Sequence, residues 1–118
     1  MKFDMSRAWV TRVEIGFGQS MYLLYAPSFG YPLGFAWGMG DERGVYDVAG
    51  SFVEPWARRN GVRSRINAAI FKNYTVIRTS YGSAEGGQAF LKAQGYVFDK
   101  NLKCYFLTRK RNGKGKKK

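Results

Sequence analysis

The sequence predicts a single α/β domain with a mixed, mainly antiparallel, twisted sheet flanked by helices. At 118 residues the chain is long enough for one hydrophobic core and too short for two domains. Short β-branched and aromatic stretches recur between turn-forming residues, as in strands. Two stretches with helical spacing lie on either side of the short apolar segment at 74–80, which is the order of crossover units around a central strand.

The predicted strands are bounded by glycine, proline and other turn residues. The first two, "MYLLYA" (21–26) and "PLGFAWGM" (32–39), form a hairpin around "PSFGY". The segment "GVYDVAGSFV" (44–53) is the third strand and "YTVIRTS" (74–80) the fourth. "YVFD" and "KCYFLTR" close the chain as a second hairpin, which gives the order β-β-β-α-β-α-β-β.

Two helices complete the prediction. Apolar residues recur with the period of one helical face, which predicts a helix over 62–72; these are Val62, Ile66, Ala69 and Ile70. The polar residues Arg63, Arg65 and Asn67 fall on the opposite face. The segment 83–95 is the second predicted helix, with Ser83 as its N-cap and Gly95 as its C-cap.

Composition excludes several classes of chemistry. The chain contains no histidine and one cysteine, Cys104, so Ser-His-Asp and Cys-His catalysis are excluded and no metal site is expected. No run of about 18 apolar residues occurs, and "MKFDMSRAWV" does not have the pattern of a signal peptide. We therefore expect a cytoplasmic protein that makes no membrane contact.

The positive charge is concentrated at the C-terminus. The net charge is +12, and the last ten residues, "RKRNGKGKKK", contribute seven positive charges and no acid. Because this segment has no apolar residue to bury, residues 109–118 are predicted to be a disordered basic tail on a domain spanning 1–108. Such a tail attracts polyanions in a salt-dependent way, or serves only to keep the protein in solution.

Four arginines surround one glycine where the third strand gives way to the first helix. They are Arg58, Arg59, Arg63 and Arg65, and the glycine is Gly61. A helix N-terminus offers unpaired backbone N–H groups, and a glycine lets a ligand approach the backbone closely. The pattern is typical of an anion site that fits a diphosphate, although arginines that merely solvate a helix end would give the same pattern.

The stretch "VEPWARRNGVRSRI" (53–66) resembles the acyl-CoA-binding motif of the GNAT acetyltransferase superfamily, in which a strand leads through a turn into Arg-x-x-Gly-x-Gly/Ala and a helix. Arg58 and Gly61 match the first arginine and glycine of that motif. Val62 matches its aliphatic position, and Ile66 the first core residue of the helix.

The resemblance extends over residues 21–108 in the family's element order. "PLGFAWG" is similar to the family's third strand, and "GQAFLKAQGYVFD" (87–99) to its later helix, with Gly95-Tyr96 where Gly-Phe is usual. The resemblance implies a small, divergent, phage-like GNAT domain whose N-terminal helices are largely missing. About 20 residues precede the first predicted strand, too few for the usual first strand and the two helices that wall the acceptor site.

Two substitutions depart from the family pattern. Arg63 stands where a second glycine or alanine is usual, and Leu91 stands where many members carry a tyrosine as general acid. The resemblance implies that acetyl-CoA is the co-substrate, with its diphosphate at the turn and its pantetheine arm along the strand. The residues it assigns to the cofactor are Phe52, Val53, Arg58, Arg59, Asn60, Gly61, Val62, Arg63 and Ser64.

Acyl transfer to an amine needs a base for the amine, donors for the oxyanion and an acid for the thiolate. In the family, strand N–H groups and a carboxylate or an ordered water supply the first two. Asp47 and Glu54 are the candidate bases, and Tyr81 and Tyr96 the candidate acids. Asp47 also fits a plain surface carboxylate, and most of the eight tyrosines fit packing roles.

Different functions remain open at this point. The first is an acyl-CoA-dependent N-acyltransferase that acetylates an amine on a macromolecule, either a protein or a nucleic acid. The alternative is a catalytically silent GNAT-like binding protein or virion-structural protein that acts through its basic surface on nucleic acid or a protein partner. Trp9, Trp37 and Trp56 then either stack bases or pack in the core. A homodimer is compatible with either function.

Overall fold

The computed structural model describes residues 3–80 and 87–109. These residues form seven strands: β1 Trp9–Gly16, β2 Gln19–Tyr25, β3 Gly34–Gly40, β4 Val45–Val53, β5 Val76–Thr79, β6 Val97–Asp99 and β7 Cys104–Thr108. Their α-helices are α1 Val62–Ile70 and α2 Gly87–Ala93, and two short 3-10 helices span Met5–Arg7 and Pro55–Ala57. None of the helices among the described residues is long and apolar enough to cross a bilayer.

The strands form one sheet in the order β1-β2-β3-β4-β5-β7-β6. Neighbouring strands are antiparallel except β4 and β5, which run parallel and are connected through α1. The predicted mixed, mainly antiparallel sheet is therefore confirmed.

The first strand, β1, was missed by the sequence prediction. Trp9 pairs with Tyr25 and Glu14 with Ser20, and only Phe17 and Gly18 separate β1 from β2. The residues before the first predicted strand were expected to be too few for the usual first strand and the two helices together. The strand is present and no helix lies between β1 and β2, because a two-residue turn connects them. The segment alternates in the manner of a strand, with Val13 between the polar Arg12 and Glu14, so the signal was present.

The main core lies between α1 and one face of the sheet. Tyr22 and Leu24 on β2 are fully buried there, together with Ile66 and Ile70 of α1. Gly34 on β3 is required for this packing, because a Cβ at that position would lie 2.7 Å from Val62 Cγ1. The helix therefore approaches the backbone of β3 directly.

The opposite face of β1 to β3 is apolar and uncovered by any described helix. Cross-strand pairing places Trp9 beside Tyr25, Val13 beside Met21, and Met21 beside Trp37 on this face. Trp9, Val13 and Met39 remain 44–48% exposed. Trp9 stacks on Tyr25, with ring centroids 5.7 Å apart, so packing within the sheet accounts for part of this aromatic surface.

Helix α2 is terminated by Gly95, as predicted. Gly95 has φ +97°, its N–H bonds to Lys92, and the next N–H, from Tyr96, bonds back to Leu91. Ser83, the predicted N-cap, lies outside the described residues.

At the end of β7, Arg109 is docked: its N–H donates to the Thr75 carbonyl and its guanidinium to the Phe71 carbonyl. The disorder prediction for the tail otherwise concerns 110–118, which also lie outside the described residues.

The β1–β2 turn offers a test of its backbone conformation. Phe17 is fully exposed and has φ +53°, and Gly18 has φ +78°. Positive φ at both central residues of a two-residue hairpin loop is the condition that Asn-Gly satisfies best. We expect Phe17→Asn to raise the free energy of unfolding by about 0.5–1 kcal/mol, because an asparagine adopts this conformation with less strain. Urea denaturation measures the change.

The control for this turn is Phe17→Val. A β-branched residue is strained at positive φ, so this variant should be less stable than the wild type. Equal stabilities for the asparagine and valine variants would show that the Phe17 backbone is not held in the left-handed region.

Candidate functional site

A β-bulge in β4 opens the middle of the sheet. Trp37 pairs with Gly50 and Gly38 with Val48, so Ala49 is the extra residue in β4. Pairing between β4 and β5 ends at this point, with Val48 opposite Thr79. A bulge bends its strand, and beyond Val48 the β5-facing edge of β4 has no partner strand among the described residues. We call this edge, from Ala49 to Val53, the open edge of β4.

The chain leaves β4 through a compact turn before α1 begins. Glu54 donates its N–H to the Leu33 carbonyl at 2.9 Å and precedes the 3-10 helix Pro55–Ala57. Trp56 of that helix stacks on Phe29 and meets Phe3 edge-on, with ring centroids 5.2 and 5.8 Å apart. This aromatic cluster fixes the turn, and it gives Trp56 a packing role.

The turn that follows leads into the N-terminus of α1. Arg59 and Gly61 both have positive φ, of +67° and +85°. Gly61 is the N-cap of α1, no side chain of the described residues caps the helix, and its first turn contains no acid. A Cβ built on Gly61 meets nothing within 4 Å, so the space above it is free of described atoms. An uncapped helix N-terminus of this kind favours an anion.

The four arginines of this region divide into two pairs. Arg58 and Arg59 are exposed, and Arg58 donates through Nε to the Val53 carbonyl at 3.0 Å, which leaves its terminal nitrogens facing outward. Arg65 is half-buried and donates to the carbonyls of Met5 and Ala8, both at 3.1 Å. Arg65 therefore ties the N-terminal segment to α1, and Arg63 turns into the protein.

Arg63 is 4% exposed and lies between the two halves of the sheet. Its Nη1 donates to Ser51 Oγ on the open edge of β4 at 2.8 Å, and its Nη2 donates to the Tyr96 hydroxyl at 3.1 Å. Its Nε donates to Asn67 Oδ1 at 3.1 Å, and Asn67 is equally buried. The side of α1 opposite its apolar face is therefore partly buried as well, because β4 and the chain after α2 close around it.

None of the ion pairs between described residues involves Arg63. Its partners among the described residues are neutral oxygens and two aromatic rings, Phe90 and Tyr96, whose centroids both lie 5.9 Å from the guanidinium carbon. Buried charges in proteins are normally paired with an opposite charge. The Arg63 cluster, which we define as Arg63, Ser51, Asn67 and Tyr96, is thus a positive centre with neutral partners.

Of the candidate acids, Tyr96 lies in this cluster and Tyr81 lies outside the described residues. Tyr96 is 4% exposed, and its hydroxyl donates to Asn67 Oδ1 at 3.4 Å. Burial raises the pKa of the Tyr96 hydroxyl, and the neighbouring Arg63 guanidinium opposes that shift. Leu91, which occupies the family's tyrosine position, is buried in the core. Tyr96 is therefore the one candidate acid among the described residues, and it contacts Arg63 at the start of α1.

The candidate bases lie elsewhere. Asp47 is on β4 before the bulge, on the face opposite α1, and its Oδ2 accepts from Arg78 Nη2 on β5 at 3.0 Å. That hydrogen bond raises the pKa of Arg78. Glu54 is half-buried at the end of β4 and makes no cap bond. The bulge reverses the alternation of β4, so Ser51 lies on the α1 face and Asp47 on the opposite one.

The remaining predicted cofactor residues flank the turn. Phe52 is 40% exposed and Val53 is half-buried, and both lie on the open edge of β4. Asn60 donates its side-chain amide to the carbonyls of Ala57 and Arg58 and so stabilises the turn. Val62 is buried in the core, and Ser64 donates to Gln94 Oε1 at 2.9 Å. The side chains of Val62 and Ser64 are therefore engaged in packing and in a tertiary hydrogen bond.

Ser51 and Asn67 were not among the predicted site residues. Asn67 follows Arg63 by four residues, the spacing of neighbours on a helix surface, and so could have been linked to it. No local signal marks Ser51, because its contact depends on where the bulge shifts the alternation of β4.

The architecture matches solved GNAT acetyltransferases. A GNAT-family acetyltransferase from Staphylococcus aureus Mu50 superposes with a TM-score of 0.63 at 13% identity, over 79% of this chain and 69% of its own. AAC(6')-Iy was solved with the bisubstrate analogue CoA-S-monomethyl-acetylneamine. It superposes with a TM-score of 0.58 at 21% identity, over 82% of this chain and 72% of its own. An acetyltransferase from Thermus thermophilus gives 0.57 at 16% identity, over 80% and 66%.

These similarities show that the chain has the GNAT fold, as its sequence motif predicted. No protein-family model matches the sequence, and no curated protein matches it. The expectation of a phage-like origin has no support from these structures. Structural similarity at 13–21% sequence identity establishes the fold alone. The chemistry therefore has to be argued from the residues of this chain.

The bulge that opens β4 depends on Gly38. A Cβ on Gly38 would collide with the carbonyl oxygen of Asp47 and with Val48 Cα, both backbone atoms. We expect Gly38→Ala to lower the free energy of unfolding by about 2–3 kcal/mol, because β3 and β4 must separate at the bulge. Chemical denaturation measures the loss.

Gly30→Ala is the matched control, since a Cβ there meets nothing within 4 Å, and it should change stability by less than about 0.5 kcal/mol. Equal effects of the two variants would contradict the close approach at the bulge.

Proposed function

We propose that this protein is an acyl-CoA-dependent N-acyltransferase that transfers an acetyl group from acetyl-CoA to an amine on a macromolecule. The observation that carries the proposal is the position of an uncapped helix N-terminus directly beside the open edge of β4, in a chain with the GNAT fold. The solved neighbour AAC(6')-Iy is bound to a CoA-containing bisubstrate analogue, which supports a coenzyme site on this fold.

In this proposal the coenzyme diphosphate binds at the turn. The backbone N–H groups from Arg59 to Ser64 surround it, Gly61 leaves space for its approach, and the exposed Arg58 and Arg59 supply positive charge. The pantetheine arm then runs along the open edge of β4, past Val53 and Phe52. Backbone groups of that edge that lack a partner strand can hydrogen-bond to its amides.

The chemical step needs a proton acceptor and a proton donor on opposite sides of the thioester. The amine attacks the thioester carbonyl carbon, the carbon–sulfur bond breaks, and the thiolate takes a proton. Asp47 faces the uncovered side of the sheet and Tyr96 the α1 side, so an amine arriving at the uncovered side would meet Asp47 while the sulfur leaves toward Tyr96. Glu54 is the second candidate base. Strand N–H groups near the bulge would stabilise the oxyanion.

The proposal of a macromolecular acceptor rests on the β1–β2 connection. Two residues, Phe17 and Gly18, occupy the place where the resemblance implies two helices that wall the acceptor site. The sheet face on that side is therefore bare of described helices, and a large acceptor could reach the open edge of β4.

The first test is coenzyme binding. We expect acetyl-CoA to bind with a dissociation constant below millimolar by isothermal titration calorimetry. Gly61→Trp should weaken binding at least about tenfold, because the indole fills the space above the turn, and Arg58→Glu should weaken it by charge reversal. Gly30→Trp is the control for a large side chain in open space, and it should bind like the wild type. Binding that is weaker than millimolar, or unaffected by Gly61→Trp and Arg58→Glu, would contradict the proposed site.

The second test is turnover. We expect release of free thiol from acetyl-CoA in the presence of at least one acceptor among peptides, polyamines, simple amines and nucleic acids. Asp47→Asn should slow this reaction at least about tenfold, because general-base catalysis contributes on the order of 10²–10⁴. Glu42→Gln, at an exposed carboxylate, is the matched control.

Coenzyme binding without thiol release on any acceptor would indicate a catalytically silent binding protein. Tight, salt-sensitive binding to nucleic acid without coenzyme binding would indicate the nucleic-acid alternative.

A further inference from the structure

The Arg63 side chain occupies the space that the proposed coenzyme needs. It crosses from α1 to Ser51, on the same open edge of β4 that the pantetheine arm would follow. Its other terminal nitrogen reaches Tyr96, just before β6 on the far side of the opening. The guanidinium thus bridges the two halves of the sheet, and its aliphatic stem is buried between them.

We propose that Arg63 is a specificity-determining plug, which competes with the pantetheine arm for the open edge of β4 and yields to ligands that carry a phosphate. This inference rests on the proposed coenzyme function. The guanidinium must leave Ser51 and Tyr96 before the arm can lie along β4. Arg63 is the second residue of α1, so its side chain begins beside the proposed diphosphate site.

The charge of the plug explains the discrimination. In its buried position Arg63 has neutral partners and none of the ion pairs between described residues. Charge-assisted hydrogen bonds between a guanidinium and a phosphate are stronger than those to neutral oxygens. A phosphate at the turn therefore offers the guanidinium a better partner, whereas a phosphate-free pantetheine thioester must displace it without compensation.

Movement of the plug also frees the candidate acid. In the plugged arrangement the Tyr96 hydroxyl accepts from Arg63 and donates to Asn67. When Arg63 leaves, one of these bonds is lost and the hydroxyl can turn toward the opening. Coenzyme binding and release of Tyr96 would then be the same event.

The experiment compares acetyl-CoA with S-acetylpantetheine, which lacks all phosphates, by calorimetry on four forms of the full chain. Arg63→Ala should bind S-acetylpantetheine at least about tenfold tighter than the wild type, since the competitor is gone, and should discriminate less between the two ligands. Ser51→Ala removes one plug partner while leaving the arginine in place. It should tighten binding of both ligands by about two- to tenfold. Ser6→Ala, at an exposed serine with its own local hydrogen bond, should change neither.

The outcomes separate this inference from the function on which it rests. If wild type binds acetyl-CoA and both plug variants bind S-acetylpantetheine equally or more weakly than wild type, Arg63 is a ligand or a structural residue and the plug is excluded. If no form binds acetyl-CoA, the proposed function fails and the plug with it. Should Arg63→Ala not fold, as judged by circular dichroism, Ser51→Ala decides, because Ser51 is exposed.

A second measurement follows the Arg63 side chain of the wild-type protein directly. The Arg63 Nε–H is bonded to a buried acceptor and should give a slowly exchanging side-chain signal in ¹⁵N NMR, assigned by its absence in Arg63→Ala. We expect this signal to shift or broaden on saturation with acetyl-CoA. An unchanged signal in the saturated complex would overturn the proposal.

Discussion

The divergence of β4 from β5 is the constraint on which the rest of this structure depends. β4 has nine residues and pairs with β5 through only four of them. The extra residue, Ala49, shifts the alternation of β4 and bends the strand away at the point where the parallel pairing ends. Backbone groups beyond that point need partners from elsewhere. An opening in the sheet, bordered by a strand edge and a helix N-terminus, follows from one inserted residue.

The close packing around the bulge explains the glycines of β3. Gly34 lets α1 pack directly on the strand, and Gly38 lets β4 approach where Ala49 is inserted. These two positions fix where α1 begins relative to the open edge of β4. The proposed anion site and the opening are therefore adjacent because of packing, before any ligand binds.

The sequence predicts most of this fold and only part of the site. Alternation and turn residues located six of the seven strands, and helical periodicity located α1 to within two residues of its C-terminal end. β1 was missed because Phe17 is an unusual residue for a tight turn, although the alternation before it is regular. The turn before α1 could be predicted because a glycine, basic residues and a helix start form a local pattern, and its role as an anion site stays a prediction.

The sequence did not predict which of the arginine side chains are exposed and which point into the protein. Arg58, Arg59, Arg63 and Arg65 are alike in type and closely spaced, yet two are exposed and two serve tertiary contacts. What separates them is the position of distant partners: Ser51 after a bulge, Tyr96 after α2, and the carbonyls of Met5 and Ala8. Such partners are set by the tertiary fold and leave no local signal.

The neutral surroundings of Arg63 bear on why an arginine stands there. Removing a guanidinium from water has a cost of several kcal/mol, which neutral hydrogen-bond partners offset less well than a carboxylate would. An apolar residue of similar volume would usually stabilise the fold as well or better. Ser51, Asn67 and Tyr96 nevertheless satisfy each of the three guanidinium nitrogens, so the arrangement is well formed. A cation that is well held but has no carboxylate partner among the described residues is stable enough to occupy the opening, and it is held weakly enough to exchange its partners for an anion. This balance is what a residue that alternates between an internal network and a phosphate requires, and it gives the arginine a role that stability alone does not explain.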